Sequence, residues 1–109
     1  MATTFKNKAI KEIGTVPIIA IETDANTRST LVGLSLANLT DYNVYMNLLV
    51  ADDTSIQSYF MKDVLLPPNS SLRALAAGEK LILAPENQLL IQADTDDSVD
   101  AVISYVDIV

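Results

Sequence analysis

Apolar residues recur at every second position in several segments of the chain, and this spacing constrains the fold more than any other feature. In residues 43–52, Val44, Met46, Leu48 and Val50 fall on one face of an extended segment. That period of two is the period of a β-strand with one buried face. The same alternation predicts core residues in three further segments: Val32, Leu34 and Leu36; Leu89, Ile91 and Ala93; and Val99, Ala101, Ile103 and Tyr105.

Turn-forming residues separate the alternating segments. Asp, Asn, Ser and Pro concentrate at intervals of roughly 8–12 positions, which is typical of antiparallel sandwiches. The sequence therefore predicts an all-β fold, a single antiparallel β-sandwich of roughly eight strands with jelly-roll or immunoglobulin-like connectivity. The glycosylation sequons at Asn38 and Asn69 fall in such turns and indicate only that turns favour Asn, Ser and Thr. The turn stretches are 23–28, 38–43, 51–55, 67–71, 84–88 and 94–98.

The stretch "PPNSS" (67–71) predicts a corner between two strands. Pro67 and Pro68 have no backbone N–H to donate to a β-ladder, so they end the preceding strand or mark a sheet edge. A single helical turn is an alternative for residues 70–80, because apolar residues occur there at helical spacing.

The first fourteen residues differ in charge from the rest of the chain. Residues 1–14 carry three lysines and one glutamate, a net charge of +2, whereas the whole chain carries −7. We predict that residues 1–14 form an N-terminal extended arm or an edge strand, and that residues 15–109 form the β-sandwich domain. Outward lysines on an edge strand would discourage edge-to-edge aggregation. An arm would instead lie across an acidic neighbouring subunit. The predicted partner-binding residues are Phe5, Lys6, Lys8, Ile10, Lys11 and Ile13.

The overall composition narrows the class of partner. With 14 acidic and 7 basic side chains, the chain repels phosphate backbones and anionic lipids, so we expect neither nucleic acid nor a membrane as a partner. Charged residues make up 19% of the chain, against about 25% in typical soluble domains. Half of the residues (50%) are hydrophobic but only 6% are aromatic. This aliphatic surplus predicts a homo-oligomer, in which another copy covers part of the apolar surface.

Residue chemistry argues against an enzyme. The chain has no histidine and no cysteine, which removes the usual serine triad and thiol catalysis. Its three glycines are too far apart to form a phosphate-binding loop. We therefore expect no catalytic residues and no cofactor.

The acidic stretch "DTDDSVD" (94–100) is the best candidate for a metal site. Its four aspartates offer the oxygen ligands that calcium prefers. However, the stretch lacks the glycine and the glutamate that the calcium loop of an EF-hand requires. We interpret it as a solvated hairpin tip and expect no metal ligands.

The tyrosines offer an alternative function, a sugar-binding platform in a carbohydrate-binding module. Such a platform would need aromatic side chains clustered on one face. The tyrosines are scattered over three predicted strands and the chain has no tryptophan, so we interpret them as interface or core-rim residues. They are Tyr42, Tyr45, Tyr59 and Tyr105.

Three sequence blocks follow one another along the chain: "GLSLANLTDYNVYMNLLVAD" (33–52), "SYFMKDVLLPPNSSL" (58–72) and "EKLILAPENQLLIQADTDDSVDAVISYVDIV" (79–109). Their order resembles that of a group of small β-sandwich proteins from tailed bacteriophage virions. In that group, a strand ending near "AN" leads into an alternating strand, a "KD-apolar-P-P" corner follows, and a similar C-terminal strand ends the chain. The resemblance covers about residues 14–109, and many relatives have a "GD" turn where this chain has "APENQ" (84–88).

The resemblance implies a structural role in a virion, without chemistry. The implied function is an oligomeric capsid decoration (cement) subunit, and a neck, tail or baseplate component is the alternative. The resemblance also implies contact with the major capsid protein or other virion proteins. Decoration subunits often occupy three-fold lattice positions, so it implies a trimer as well. The first residues lack the apolar core of a secretory signal peptide, so we expect synthesis in the host cytoplasm and localisation in the virion.

Overall fold

The computed structural model describes residues 2–75 and 78–109, and it confirms the all-β prediction. The described residues form β-strands and no helix, and so contain no helix long and apolar enough to cross a membrane. The strands are β1 (Thr3–Ile13), β2 (Ile18–Glu22), β3 (Arg28–Asn38), β4 (Val44–Ala51), β5 (Gln57–Leu66), β6 (Ser71–Arg73), β7 (Leu81–Leu83), β8 (Gln88–Ala93) and β9 (Val99–Ile108).

The strands form two antiparallel sheets that pack into a sandwich. The five-stranded sheet has the order β1-β9-β3-β6, with β7 also paired to β3, and the four-stranded sheet has the order β2-β8-β4-β5. Six connections cross between the sheets: β1 to β2, β2 to β3, β3 to β4, β5 to β6, β7 to β8 and β8 to β9. This strand order is that of a jelly roll, which decides between the two connectivities that the sequence left open.

The strands β6 and β7 occupy one position in the sheet. β6 pairs with residues 35–37 of β3, and β7 pairs with residues 29–31 of the same strand. Together they act as one interrupted strand, which is why nine strands are found where roughly eight were expected. Residues 71–73 are extended, so the helical turn that was the alternative for residues 70–80 is wrong for this part of the stretch. Ala76, which belonged to the same helical pattern, lies outside the described residues.

The core lies between the sheets and contains most of the residues that the alternation predicts. One prediction is wrong: Val32 is 46% exposed, whereas Leu31 is fully buried. The pairing of β3 with β9 shifts between Leu31 and Gly33, so a β-bulge inserts one residue and reverses the alternation. Of the predicted core residues, Val50 and Tyr105 are half-buried, and these are buried: Leu34, Leu36, Val44, Met46, Leu48, Leu89, Ile91, Ala93, Val99, Ala101 and Ile103.

The "PPNSS" corner is confirmed as a strand-to-strand connection. β5 is an edge strand of the four-stranded sheet and ends at Leu66, immediately before the two prolines. The corner then carries the chain to β6 in the other sheet. Asn69 has a φ of 50°, a left-handed conformation that asparagine tolerates better than most residues. The Ser70 hydroxyl donates to the Pro67 carbonyl over 2.7 Å and closes the turn.

The acidic connection at 94–98 is not a hairpin tip, which corrects the interpretation from the sequence. It joins β8 in the four-stranded sheet to β9 in the five-stranded sheet, and these two strands do not pair. The connection packs closely against the β1–β2 turn. A Cβ atom on Gly14 would lie 3.1 Å from the Asp96 carboxylate and 3.3 Å from the Asp96 Cα, so this contact needs glycine.

Candidate interaction surface

The strand β1 contains all six predicted partner-binding residues. β1 stands at the edge of the five-stranded sheet and pairs with β9 from Thr3 to Ile13. Its opposite edge faces no other strand among the described residues. The proposed boundary between residues 14 and 15, and the partner-binding role of the segment, remain predictions.

Pairing with β9 places alternate side chains of β1 on opposite faces of the sheet. Phe5 lies opposite Val106, and Ala9 lies opposite Val102, on the face that points away from the core. Phe5 is 82% exposed, the highest value among the exposed large hydrophobic residues. This strand therefore presents an aromatic side chain directly to solvent.

Phe5 belongs to a larger apolar surface that we call the outer face. It is the solvent side of the five-stranded sheet, and it includes the exposed residues Val32, Ile82 and Val102. Two shallow cavities, of about 610 and 400 Å³, meet on this face at Val32 and Ser104. The alternation of apolar residues did not predict the outer face, because it assigns Val32 to the core. The available signal was Gly33, since a glycine within a strand often marks a bulge.

Lys6 and Lys8 lie on the other face of β1, beside β9 residues that point towards the core. Lys6 is opposite Tyr105 and Lys8 is opposite Ile103, yet both lysines are exposed. The Lys6 Nζ forms an ion pair with the Asp107 carboxylate over 2.9 Å, and this hydrogen-bonded charge raises the pKa of Lys6. Asp107 also accepts a hydrogen bond from the Ser29 hydroxyl.

The remaining predicted residues attach β1 to its own sandwich. Ile13 is 2% exposed and belongs to the core, and Ile10 is partly buried against it. Lys11 is exposed within a bulge where Glu12 has a φ of 56° and donates its backbone N–H to Asp100. The side chain of Ile13 is therefore not available to a partner in this fold. Phe5, Lys6, Lys8 and Lys11 remain on the surface.

The tyrosines do not form one platform. Tyr45 and Tyr59 lie on the solvent side of the four-stranded sheet, Tyr42 lies in the connection before β4, and Tyr105 is half-buried in the other sheet. On the four-stranded sheet, a row of apolar residues crosses all four strands. Its directly paired members are Ile19, Leu90, Leu49 and Tyr59.

One end of the sandwich is acidic. The connections β2–β3, β4–β5 and β7–β8 surround an open cavity of about 610 Å³, whose charged lining residues are all carboxylates. Asp24 accepts from the backbone N–H of Asn26, and Asp52 accepts from the hydroxyl of Thr54 at 2.6 Å. Side-chain hydrogen bonds, from Thr27 to Asp24 and from Thr54 to Asp52, lower the pKa of both carboxyls. These two carboxylates therefore cap turns. The acidic lining residues are Glu22, Asp24, Asp52, Asp53 and Glu86.

The turn at 84–88 contains a residue with a left-handed backbone conformation. Glu86 adopts a φ of 61°, a conformation that glycine adopts without strain. The buried Thr23 hydroxyl holds this turn, donating to the Ala84 carbonyl over 2.7 Å and accepting from the Asn87 N–H over 2.9 Å.

Three carboxylates of the acidic stretch 94–100 accept hydrogen bonds from backbone N–H groups. Asp94 accepts from the N–H of Tyr45, Asp96 from that of Thr15, and Asp100 from that of Glu12. The described residues contain no group of three or more acidic, cysteine or histidine side chains placed to hold a metal ion. In this structure the stretch connects the end of β1, the β1–β2 turn and the start of β4 through these hydrogen bonds.

We predict that replacing Thr15 with valine weakens the protein at neutral pH but not in strong acid. The Thr15 hydroxyl donates to Asp96 over 2.8 Å and is the main cause of its lowered pKa. A carboxylate with a lowered folded-state pKa stabilises the fold above its ordinary pKa of 3.8, and loses that effect as the pH falls through the folded value.

Denaturant unfolding at about pH 7 and about pH 2.5 measures this difference. The gap between Thr15→Val and the unaltered protein should close in acid. Ser58→Ala, at an exposed strand position in β5 of the other sheet, is the control and should leave no gap at either pH. An equal gap at both values would contradict the role of Asp96.

Comparison with solved structures finds the fold of this chain in proteins with very different sequences. No protein-family model and no curated protein matches this chain. A chain from Bacillus endospore appendages, described as a family of disulfide-linked pili, gives a TM-score of 0.58 at 6% identity, over 96% of this chain and 86% of that one. A chain of an IBDV viral particle gives 0.53 at 9% identity, over 94% of this chain and 30% of that one.

A chain of the infectious bursal disease virus subviral particle gives a TM-score of 0.50 at 12% identity, over 94% of this chain and 32% of that one. This chain therefore spans about a third of the length of the two viral chains. Identities this low show a shared fold and nothing more.

Proposed function

We propose that this chain is a non-enzymatic structural subunit that assembles with copies of itself. The observation that carries the proposal is the outer face, where Phe5, Val32, Ile82 and Val102 are exposed together on one sheet. Contiguous apolar surface of this kind marks contact sites in soluble proteins. The five-stranded sheet buries its other face against a core of aliphatic residues, so the fold does not need the outer face for its own stability.

We further propose that the subunit belongs to a tailed-bacteriophage virion, as an oligomeric capsid decoration protein. The sequence blocks that resemble small phage β-sandwich proteins support this placement. The pilus and viral-particle chains of the same fold support the broader idea of an assembly subunit. A neck, tail or baseplate component remains the second candidate, because the same surface would serve there. The proposed partners are other copies, in a trimer on a capsid, and the major capsid protein.

The disulfide links described for the pilus family are not possible in this chain. The pilus family is described as disulfide-linked. This chain contains no cysteine, so disulfides cannot link its copies. Assembly would then depend on surface complementarity and respond to dilution.

We expect the purified protein to be a homo-oligomer at micromolar concentration, measured by light scattering coupled to size exclusion. Val102→Glu puts a charge on the outer face and should shift the protein towards the monomer. Leu65→Glu is the matched control, because Leu65 is similarly exposed, at 45% against 49%, but lies on the other sheet. A monomeric unaltered protein, or equal effects of the two variants, would overturn the proposed use of the outer face.

The placement in a virion has its own test. Electron microscopy of purified particles should find the chain at regular capsid positions if it is a decoration subunit. Density at the neck or tail would support the second candidate. Particles that lack the chain altogether would remove the virion role.

A further inference from the structure

The hydrogen-bonding phase of β1 determines which backbone groups are free at its open edge. Ala2 and Val109 exchange both backbone hydrogen bonds, at 3.1 and 2.9 Å, so they form a hydrogen-bonded pair. The pairing of β1 with β9 then continues without a shift as far as Ile10. Since bonded and non-bonded pairs alternate along antiparallel strands, every second residue of β1 points its N–H and C=O away from β9. These residues are Thr3, Phe5, Asn7 and Ala9.

A row of free groups on a regular edge strand is a template for another strand. The occupant must be an extended segment that tolerates lysines, because Lys6 and Lys8 lie between the residues with free groups. A second copy of β1 carries the same pattern, and a two-fold axis makes the contact close on itself. The lysines then determine which registers are allowed, since like charges directly opposite each other destabilise a pair.

Most antiparallel registers of two β1 strands fail. An axis at Lys6 or at Lys8 places that lysine opposite itself, and an axis at Asn7 places Lys6 opposite Lys8 twice. An axis at Ala9 extends into the bulge that follows Ile10. An axis between two residues would pair free groups with groups already bonded to β9, because bonded and non-bonded residues alternate.

An axis at Phe5 meets all the conditions. It places Thr3 opposite Asn7, so three pairs of residues with free groups face each other, counting the Phe5 pair and both Thr3–Asn7 pairs. Lys6 then faces Thr4. An axis at Thr4 also separates the lysines but joins only Thr3 to Phe5, in two pairs.

We propose that two copies of this chain associate through their β1 edges, antiparallel, with Phe5 opposite Phe5 of the second copy. The two five-stranded sheets become one continuous sheet across the axis. The contact covers the most exposed large hydrophobic side chain, and its two Phe rings lie next to each other on the outer face. This inference rests on the proposed self-assembly and names one contact within it.

The charges on the opposite face of the sheet favour the same register. Thr4 lies opposite Asp107 on β9, and in the dimer Thr4 also lies opposite Lys6 of the second copy. Asp107, Thr4 and Lys6 of the second copy therefore lie side by side on three neighbouring strands. The two-fold axis repeats this arrangement with the two copies exchanged. Lys6 already bonds the Asp107 of its own copy, so each lysine near the axis is neutralised by a carboxylate. The lysines thus exclude the registers centred on Lys6, Asn7 and Lys8, and the number of paired free groups then favours Phe5 over Thr4.

Cysteine substitutions test the register directly, because the chain has no cysteine of its own. Opposite residues in a hydrogen-bonded antiparallel pair have Cα atoms about 5.5 Å apart, within the range of about 4.4–6.8 Å that a disulfide spans. We expect Phe5→Cys to form a covalent dimer under mild oxidation, or with a short bis-maleimide. The pair Thr3→Cys with Asn7→Cys keeps Phe5 and should cross-link as well.

The controls are Asn7→Cys alone and Lys8→Cys alone, which should stay uncrosslinked. With the axis at Phe5, the two Asn7 residues are about 13 Å apart along the strands. A covalent dimer from either single control would place the axis elsewhere and overturn the proposed register. No cross-link at any position, in a protein that remains oligomeric, would remove the β1 contact and leave the proposed self-assembly intact. A monomer without cross-links would remove both.

Discussion

Replacing Asn38 with leucine is expected to lower the free energy of unfolding by about 3–5 kcal/mol, since each buried group left without a partner costs about 1–3 kcal/mol. Asn38 is 4% exposed at the end of β3. Its Nδ2 donates to the carbonyls of Tyr42 at 2.8 Å, Leu66 at 2.9 Å and Pro67 at 3.1 Å. Its Oδ1 accepts from the N–H of Thr40 at 2.8 Å and from the hydroxyl of Thr40 at 2.7 Å.

This one amide joins two connections at the same end of the sandwich. The β3–β4 connection and the "PPNSS" corner both present backbone groups that no strand pairing satisfies, and Asn38 satisfies them from between the two. A leucine fills a similar volume but cannot donate or accept, so the buried Leu66 carbonyl and the partly buried groups around it would lose this partner. Asn38→Asp keeps the acceptor for Thr40 but points a carboxylate at three carbonyls, so it should destabilise the protein as well.

Asn69 provides the matched control, because it is the asparagine of the other sequon. It is exposed, it adopts a φ of 50°, and its side chain donates to the Asp41 carboxylate over 2.9 Å. Asn69→Gly removes that side chain and suits the left-handed backbone, so the change should stay within about 1 kcal/mol. Denaturant unfolding of the three variants separates the two sites. Equal losses at Asn38 and Asn69 would show that Asn38 does not hold the two connections together.

The period-two alternation predicted the strands well where pairing is regular. Val44, Met46 and Leu48 occupy one face because β4 lies between two partners and one face of its sheet is buried. Val32 was misassigned because a bulge depends on how β3 meets β9, which lies about seventy positions away along the chain. Local spacing cannot reveal a register shift that only the partner strand defines.

The connectivity also lay beyond the sequence, since turn residues mark where a strand ends but not which sheet follows. The stretch 94–98 and the stretch 51–55 have similar aspartate-rich compositions. The first crosses between the sheets, whereas the second joins the paired strands β4 and β5. The difference arises from packing between distant segments, such as the close contact of Gly14 with Asp96.

The candidate surface was predictable only in part. The lysines and the phenylalanine of residues 5–8 indicate a contact segment by their charge and apolar character alone, and this segment lies in β1. The role of Asn38 was missed, although an asparagine two residues before a threonine in a turn is a signal of side-chain capping. Which backbone N–H and C=O groups of β1 are free depends on which residues of β1 form hydrogen bonds with β9. The amino-acid composition does not determine that alternation.

Two residues of β1 that the sequence grouped together as partner anchors should respond to truncation in opposite ways. Ile13→Ala should lower the free energy of unfolding of the subunit by about 2–4 kcal/mol, because Ile13 is 2% exposed and its truncation leaves a cavity in the core. Phe5→Ala should leave the stability of the subunit nearly unchanged, because the ring is 82% exposed. The same Phe5→Ala change should weaken self-association, which Ile13→Ala affects only through folding.

Thermal and denaturant unfolding at a concentration low enough to keep the subunits apart gives the first comparison, and light scattering at high concentration gives the second. Each variant is the control for the other, because both lie on the same strand. If Ile13→Ala unfolds like the unaltered protein, the inner end of β1 is not part of the core and the segment behaves as a detachable arm. If Phe5→Ala associates as strongly as before, the ring does not lie in the contact, and the other outer-face residues or the free backbone groups of the β1 edge must account for the association.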